Sequence, residues 1–176
     1  MKGTTTLLIL ATFSHLSLVS YSREGDLITS ICSEGPPLNK TSCECTISLA
    51  NCGNHNDTSK AAFTCMGRFA NKAAINATTH LWVVAKNLTN AKLAKFCVGH
   101  VNDAIDQLKG CAKLWKTNKS SDIDIINSKG STAETYIDNC IDDYSDLGQS
   151  IPEVLQNSTG KAKDLINIML AITNKI

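Results

Sequence analysis

The chain has 176 residues, 43% hydrophobic and 19% charged, with a formal net charge of +1 at pH 7. That length suits a single domain, and such balanced charge gives bulk electrostatics no reason to select nucleic acid or an anionic membrane. Partners of such a chain are expected to be recognised by shape.

Residues 1–22 have the form of a secretory leader: Met1-Lys2, an apolar stretch from Leu7 to Val19, then Ser20-Tyr21-Ser22 with small residues spaced for signal peptidase. The stretch is too short for a membrane anchor and no stop-transfer pattern follows. Cleavage is expected before Arg23, leaving residues 23–176 with 16 basic and 16 acidic side chains. A Pro-, Gly-, Asn- and Cys-rich extension follows over 23–57, and long helical periodicity begins only after it.

A helix is expected from about Ser59 to Leu88, with an inward stripe of Met66, Ala70, Ala73, Ala77, Leu81, Val84 and Leu88. Turn residues Asn87 to Asn90 separate it from the clearest helix, in which Leu93, Cys97, Val101, Ala104, Leu108, Cys111 and Trp115 recur at steps of four and three. After the polar run Thr117 to Ser121, a third stripe comprises Ile126, Gly130, Ala133, Ile137, Cys140, Tyr144 and Leu147. Gly130 inside it is a local weakness of about 1 kcal/mol against alanine and a candidate kink. Following Gly148 to Ser150, the stripe Leu155, Ser158, Ala162, Leu165, Met169, Ile172 and Ile176 completes four helices, with Ser150-Ile151-Pro152-Glu153 fitting a capping box. Short turns make successive helices antiparallel, so the fold expected over 58–176 is an all-α, four-helix up-and-down bundle.

All eight cysteines lie after the expected cleavage site, an even count that suits disulfides in an oxidising compartment. Cys97 and Cys140 are symmetric about the Asn118–Lys119 junction, so folding the chain there brings them to one height on facing helices. The 44-residue loop they close corresponds to about 4 kcal/mol in the chain-entropy account. Cys65 and Cys111 centre on Leu88 and form a second candidate pair, although symmetry gives height and not facing direction. Cys32, Cys43, Cys45 and Cys52 are expected to staple the extension locally, with their pairing open. Sequons at Asn39, Asn56, Asn76, Asn87, Asn118 and Asn157 are candidate glycosylation sites, those at 39, 56 and 118 in expected loops.

Catalytic chemistry has few candidates. His55 lies in a loop, His80 and His100 on helix flanks, and no GxSxG, HExxH, Walker or GxGxxG pattern occurs. Cys43-Glu44-Cys45 with His55 matches no common zinc module, so no metal, cofactor or catalytic residue is expected. Asp138, Asp142, Asp143 and Asp146 crowd the C-terminal end of the third helix, where carboxylates oppose the macrodipole by a few tenths of a kcal/mol each. Local stability does not select them, which leaves a solvated face or an acidic recognition face. A partner surface on exposed parts of helices two and three would take in Asp103, Asp106, Asn139, Asp142 and Asp143.

Four places carry a resemblance: Ile31-Cys32 with Cys45-Thr46-Ile47-Ser48-Leu49; Cys97 through Val101, Asn102, Asp103-Ala104-Ile105-Asp106 and Leu108; Ser131-Thr132-Ala133 with Cys140-Ile141-Asp142-Asp143-Tyr144; and Leu170-Ala171-Ile172. In order and spacing they resemble the plant invertase and pectin methylesterase inhibitor family. The resemblance implies an N-terminal helical hairpin closed by one disulfide, Cys32 with Cys45, ahead of a four-helix bundle whose middle helices are joined by another, Cys97 with Cys140. Cys43 with Cys52 is then the other local pair. It also implies a non-catalytic, extracellular monomer of the cell wall whose partner is a pectin methylesterase or an acid invertase. Invertase inhibitors often carry Pro-Lys-Phe before the third bundle helix, where this chain has Ile123, Asp124 and Ile125; pectin methylesterase inhibitors often have Thr before the last cysteine, where it has Asn139. Pectin methylesterase is therefore the first expected target and invertase the second. A diverged bundle without inhibition and a lipid-transfer-type carrier are the other functional classes, the latter requiring a large apolar cavity.

Overall fold

The computed structural model describes Cys32, Cys43, Ala50, Cys52 and residues 59–117 and 119–176. The expected leader, most of the 23–57 extension, Cys45, His55 and the sequons at Asn39, Asn56 and Asn118 lie outside the described residues.

Four long helices follow in order among the described residues: α1 (Ser59–Lys86), α2 (Ala91–Thr117), α3 (Ile123–Asp146) and α4 (Glu153–Thr173), with a 3-10 turn at Ser120–Asp122. Helix α1 packs against α2 and α4, helix α3 also packs against α2 and α4, and the backbones of the diagonal pairs stay apart. That closed square of antiparallel neighbours is the up-and-down bundle the short turns predict.

Helix α2 buries its whole expected stripe, Leu93 to Trp115, with Ile105 beside it. Its start is capped by Asn90, whose Oδ1 accepts from the backbone N–H of Lys92 at 3.1 Å and Leu93 at 3.2 Å. Its end is capped by a neighbour: Arg68 of α1 donates to the carbonyls of Trp115 at 3.0 Å and Lys116 at 3.3 Å. Helix α3 buries Ile126 through Tyr144 as expected, but Leu147 falls beyond its last turn and is exposed. There Gly148 adopts φ +61°, with Gly148 N–H bonded to Ser145 O and Gln149 N–H to Tyr144 O, the paired bonds of a Schellman ending.

Two helices turn differently from expectation. In α1 the buried residues are Phe63, Thr64, Met66, Gly67, Ala70, Asn71, Ala74, Thr78, Leu81 and Ala85, while Ala73, Ala77, Val84 and Leu88 are only half-buried. Thr78 is tolerated inside because its hydroxyl donates to Ala74 O at 2.8 Å, and Asn71 because its amide donates to Leu108 O of α2 at 3.3 Å. In α4, Thr159 replaces Ser158 on the inner face and Ile176 is exposed beyond the helix, whereas Ile166, Ile168 and Ala171 join the core. The capping box does not form: Pro152 is the N-cap and no side chain caps the helix.

Gly130 lets α3 approach α4 closely. A Cβ there would lie 2.6 Å from Leu170 Cδ2 and 2.8 Å from Met169 Cε. Beyond it, Thr173 donates to Asn127 Oδ1 at 3.0 Å and Asn127 to Asn174 Oδ1 at 3.1 Å, tying the end of α4 to the start of α3.

Three disulfides join described cysteines: Cys32–Cys43, Cys52–Cys65 and Cys97–Cys140. The first replaces the expected Cys32–Cys45 pair. Cys43, helical and wholly buried, takes the place beside Cys32. The second replaces both Cys65–Cys111 and Cys43–Cys52. Cys65 precedes the inward Met66 by one residue and meets Cys52 of the extension, whereas Cys111 points into the core as a free thiol 3.5 Å from Ile126 O. Symmetry about the turn did not make Cys65 and Cys111 neighbours.

Burial pushes the Cys111 thiol up to about 11, against a smaller opposing effect of the Lys129 charge. Since the thiolate is the reactive form, Cys111 is expected to resist a thiol-specific reagent at pH 8 in the native protein and to react once denaturant opens the bundle. Native labelling at the denatured rate would contradict its placement.

Candidate functional site

The seam between α2 and α3 holds the residues that sequence reasoning assigned to a partner surface. Its fixed point is Cys97–Cys140, with the two Cα atoms 4.4 Å apart. Asn139, Asp142 and Asp143 lie within one turn of that link on α3. Asp103 and Asp106 lie six and nine residues further along α2, about 9 to 14 Å away along the axis. The five therefore form an elongated strip with two ends.

Their electrostatic states differ. Asp103 and Asp142 are exposed and make no ion pair among the described residues. Asp106 is exposed and sits 3.3 Å from Lys109 one turn on, a solvent-screened pair worth little. Asp143 is half-buried in the seam, its Oδ2 3.4 Å from His100 Nε2 of α2 but without a hydrogen bond. The contact becomes an ion pair when the imidazole is protonated.

Asp138 does not belong to this strip. It turns toward α4, where Lys163 Nζ stands 2.6 Å from its Oδ1 and 3.8 Å from Glu134. The expected cluster of Asp138, Asp142, Asp143 and Asp146 is thus divided between two seams. The partner role of His100 was missed from the sequence, although a signal existed: the midpoint of His100 and Asp143 falls at the Ser121–Asp122 junction, inside the turn between their helices.

A second interhelical link supports the strip from below. Lys129 of α3 donates to Gln107 Oε1 of α2 at 3.2 Å, and its side chain lies over Gly110. Together with the disulfide it holds both ends of the seam in register. Nothing here has the geometry of nucleophile and base: among the described residues His100 meets Asp143 and no hydroxyl or thiol, and no group of His, Cys, Asp and Glu could hold a metal. No helix among the described residues is long and apolar enough to cross a membrane. A crevice lined by Thr64, Leu114, Trp115, Ile123 and Ile126 offers about 10 Å³, room for one water and not for a lipid.

A family model described as plant invertase/pectin methylesterase inhibitor matches residues 26–172. The fold is similar to that of a mutant form of a pectin methylesterase inhibitor from Arabidopsis, with a TM-score of 0.63 at 20% identity over 85% of this chain and 96% of that one. It is also similar to a pectin methylesterase inhibitor from Arabidopsis thaliana, with a TM-score of 0.51 at 21% identity over 85% of this chain and 95% of that one. No curated protein sequence matches the chain significantly. At such identity the likeness speaks for the fold, and the family match, spanning the extension and nearly the whole bundle, carries the assignment: this chain belongs to the plant invertase/pectin methylesterase inhibitor family.

Proposed function

We propose that the protein is a secreted, non-catalytic inhibitor of a cell-wall pectin methylesterase, with acid invertase as the second target class, acting as a monomer that caps the enzyme's cleft with the α2–α3 strip. The family match over residues 26–172 is the observation that carries this reading. In it residues 1–22 serve as a removed leader and 23–176 as the inhibitor domain. A strip held by a disulfide at one end and by Lys129–Gln107 at the other loses little conformational entropy on docking. Asp103, Asp106, Asn139, Asp142 and Asp143 are the proposed contacts. Exposure of Asn76, Asn87 and Asn157 supports their proposed role as glycosylation sites.

The test is titration of the oxidised mature protein against a pectin methylesterase and an acid invertase from the same plant, following residual activity of each. Near-stoichiometric loss of esterase activity is expected. Loss of invertase activity alone would transfer the proposal to the second target, and loss of neither, with folded protein, would sink both. Because Asp103 and Asp142 are exposed charges, the double charge reversal Asp103→Lys/Asp142→Lys is expected to slow association by about tenfold or more at low salt, with the difference shrinking in 0.5 M salt. Unchanged association kinetics would remove the acidic strip from the contact surface.

A further inference from the structure

The near-neutral total charge conceals a strong segregation. Helices α1 and α2 carry nine Lys and Arg against two Asp, whereas α3 and α4 carry three Lys against eight Asp and Glu. The basic half has its own focus. Arg68 Nε reaches Trp115 O, and Asn71 Nδ2 reaches Leu108 O, so residues 68–72 of α1 run alongside 108–116 of α2. On that stretch Arg68 and Lys72 stand one turn apart on α1, while Lys109, Lys113 and Lys116 follow each other at helical spacing on α2. All five are exposed. They flank the outer α1–α2 groove within about 10 Å of axial length, comparable to the Debye length, so their potentials add. One carboxylate answers them, Asp106 beside Lys109; Lys72, Lys113 and Lys116 make no ion pair among the described residues.

We infer that this α1–α2 groove is a docking surface for a carboxylated polysaccharide, the polyuronate that a pectin methylesterase leaves behind. The inference rests on the proposed site of action, since hydrolysis of methyl esters generates carboxylates along a polymer at the place where the inhibitor works. Charge complementarity selects the polymer: two lysine-bearing banks on either side of a groove match a chain carrying a carboxylate on successive sugars, and a fully esterified chain offers no such charge. Of the large exposed apolar side chains, Val83, Phe96, Leu147 and Val154 lie at the other end of the bundle, while Ile125 on α3 and Ile176 beyond α4 are single residues outside α1 and α2, so the two basic banks carry no contiguous apolar face of the kind membrane insertion requires. The groove meets the strip at the Asp106–Lys109 pair, whereas Asn139, Asp142 and Asp143 lie beyond it on α3. Docking to the product would therefore hold the inhibitor on de-esterified wall while the α3 end of the strip stays free.

The experiment is binding of the full mature protein to polygalacturonate with no enzyme present, at low and at 0.3 M salt, beside fully methyl-esterified pectin and anionic phospholipid vesicles. The expected result is salt-sensitive binding to polygalacturonate and none to the esterified polymer. Each lysine neutralised should weaken binding about fivefold, so Lys72→Gln/Lys113→Gln/Lys116→Gln should lose about a hundredfold, while the exposed Lys161→Gln on α4 stays close to the parent. All four positions are exposed, and circular dichroism checks that the variants fold. Absence of binding at low salt, equal binding by the triple variant, or tighter binding to vesicles overturns the inference. Because no enzyme is present, polymer binding without inhibition would leave this inference standing while removing the inhibitor reading; inhibition without polymer binding would do the reverse.

Discussion

Replacing Gly67 by alanine is expected to destabilise the bundle by about 2 kcal/mol, lowering the melting temperature by about 4–8 °C. A Cβ at this position would fall well inside van der Waals distance of Cη2, Cζ2 and Cζ3 of Trp115. The indole is 2% exposed and rigid, and its backbone carbonyl is held by Arg68, so the ring has little freedom to yield. Alanine's better helix propensity, about 1 kcal/mol, offsets only part of the overpacking. Gly99 supplies the control: it lies exposed on α2, and an added methyl would meet nothing within 4 Å, so Gly99→Ala should stabilise by up to about 1 kcal/mol. Thermal unfolding of both variants checks the pair. Equal stability of Gly67→Ala and the parent would mean that α1 and α2 are not in the close contact described, and partial recovery in Gly67→Ala/Trp115→Phe would identify the ring as the obstacle.

Gly130 illustrates why the same residue type at a similar depth has a different consequence. Its would-be neighbours are the flexible ends of Leu170 and Met169, which can rotate away, whereas those of Gly67 belong to a planar ring. The periodicity that placed Gly130 on the inner face of α3 could not say which atoms it met. That limit recurs across the molecule. Helix α2 was fully legible because every inward position is apolar, a small residue or a cysteine. Helix α1 was displaced by one residue because Thr78 donates to Ala74 O and the Asn71 amide to Leu108 O inside the bundle, although Asn71 Oδ1 is left without a partner, and an apolar count cannot anticipate either. In α4, Thr159 enters the core by the same device, donating to Leu155 O at 3.0 Å and Gln156 O at 2.8 Å.

The candidate site divides along the same line. Which helices face each other followed from turn lengths, so the α2–α3 seam and the height of Cys97 opposite Cys140 were accessible. Which way a side chain leans around its helix depends on the neighbour on each side. Asp138 and Asp143 are five residues apart, yet one turns to Lys163 of α4 and the other to His100 of α2. The segregation of charge between the two helix pairs was likewise present in the sequence, but a total near zero hid it until the helices had partners.

Removing the staple at that seam is expected to have the largest effect of any change considered. The double substitution Cys97→Ala/Cys140→Ala opens a loop whose ends are 43 residues apart, for which the chain-entropy account gives about 4 kcal/mol. Cys32–Cys43 and Cys52–Cys65 close shorter loops, with separations of 11 and 13, and correspond to about 3 kcal/mol each. Both cysteines must be replaced together, since a lone thiol at either position could attack the remaining disulfides, Cys32–Cys43 and Cys52–Cys65, whenever the chain unfolds. The seam retains Leu108, Trp115, Ile126 and Ile137, all at or below 2% exposure, so the variant should remain folded at 25 °C with a melting temperature lower by about 8–16 °C. The loss is local as well as global. The disulfide holds the end of the strip bearing Asn139, Asp142 and Asp143, while Lys129–Gln107 still holds the other end. Amide exchange should therefore accelerate in the second half of α3 more than around Lys129, and dissociation from a target enzyme should quicken more than association slows. A variant that loses stability but keeps its dissociation rate would place the recognition surface away from the stapled end of the seam; one that unfolds without any local gradient would show that the bundle opens as a single unit.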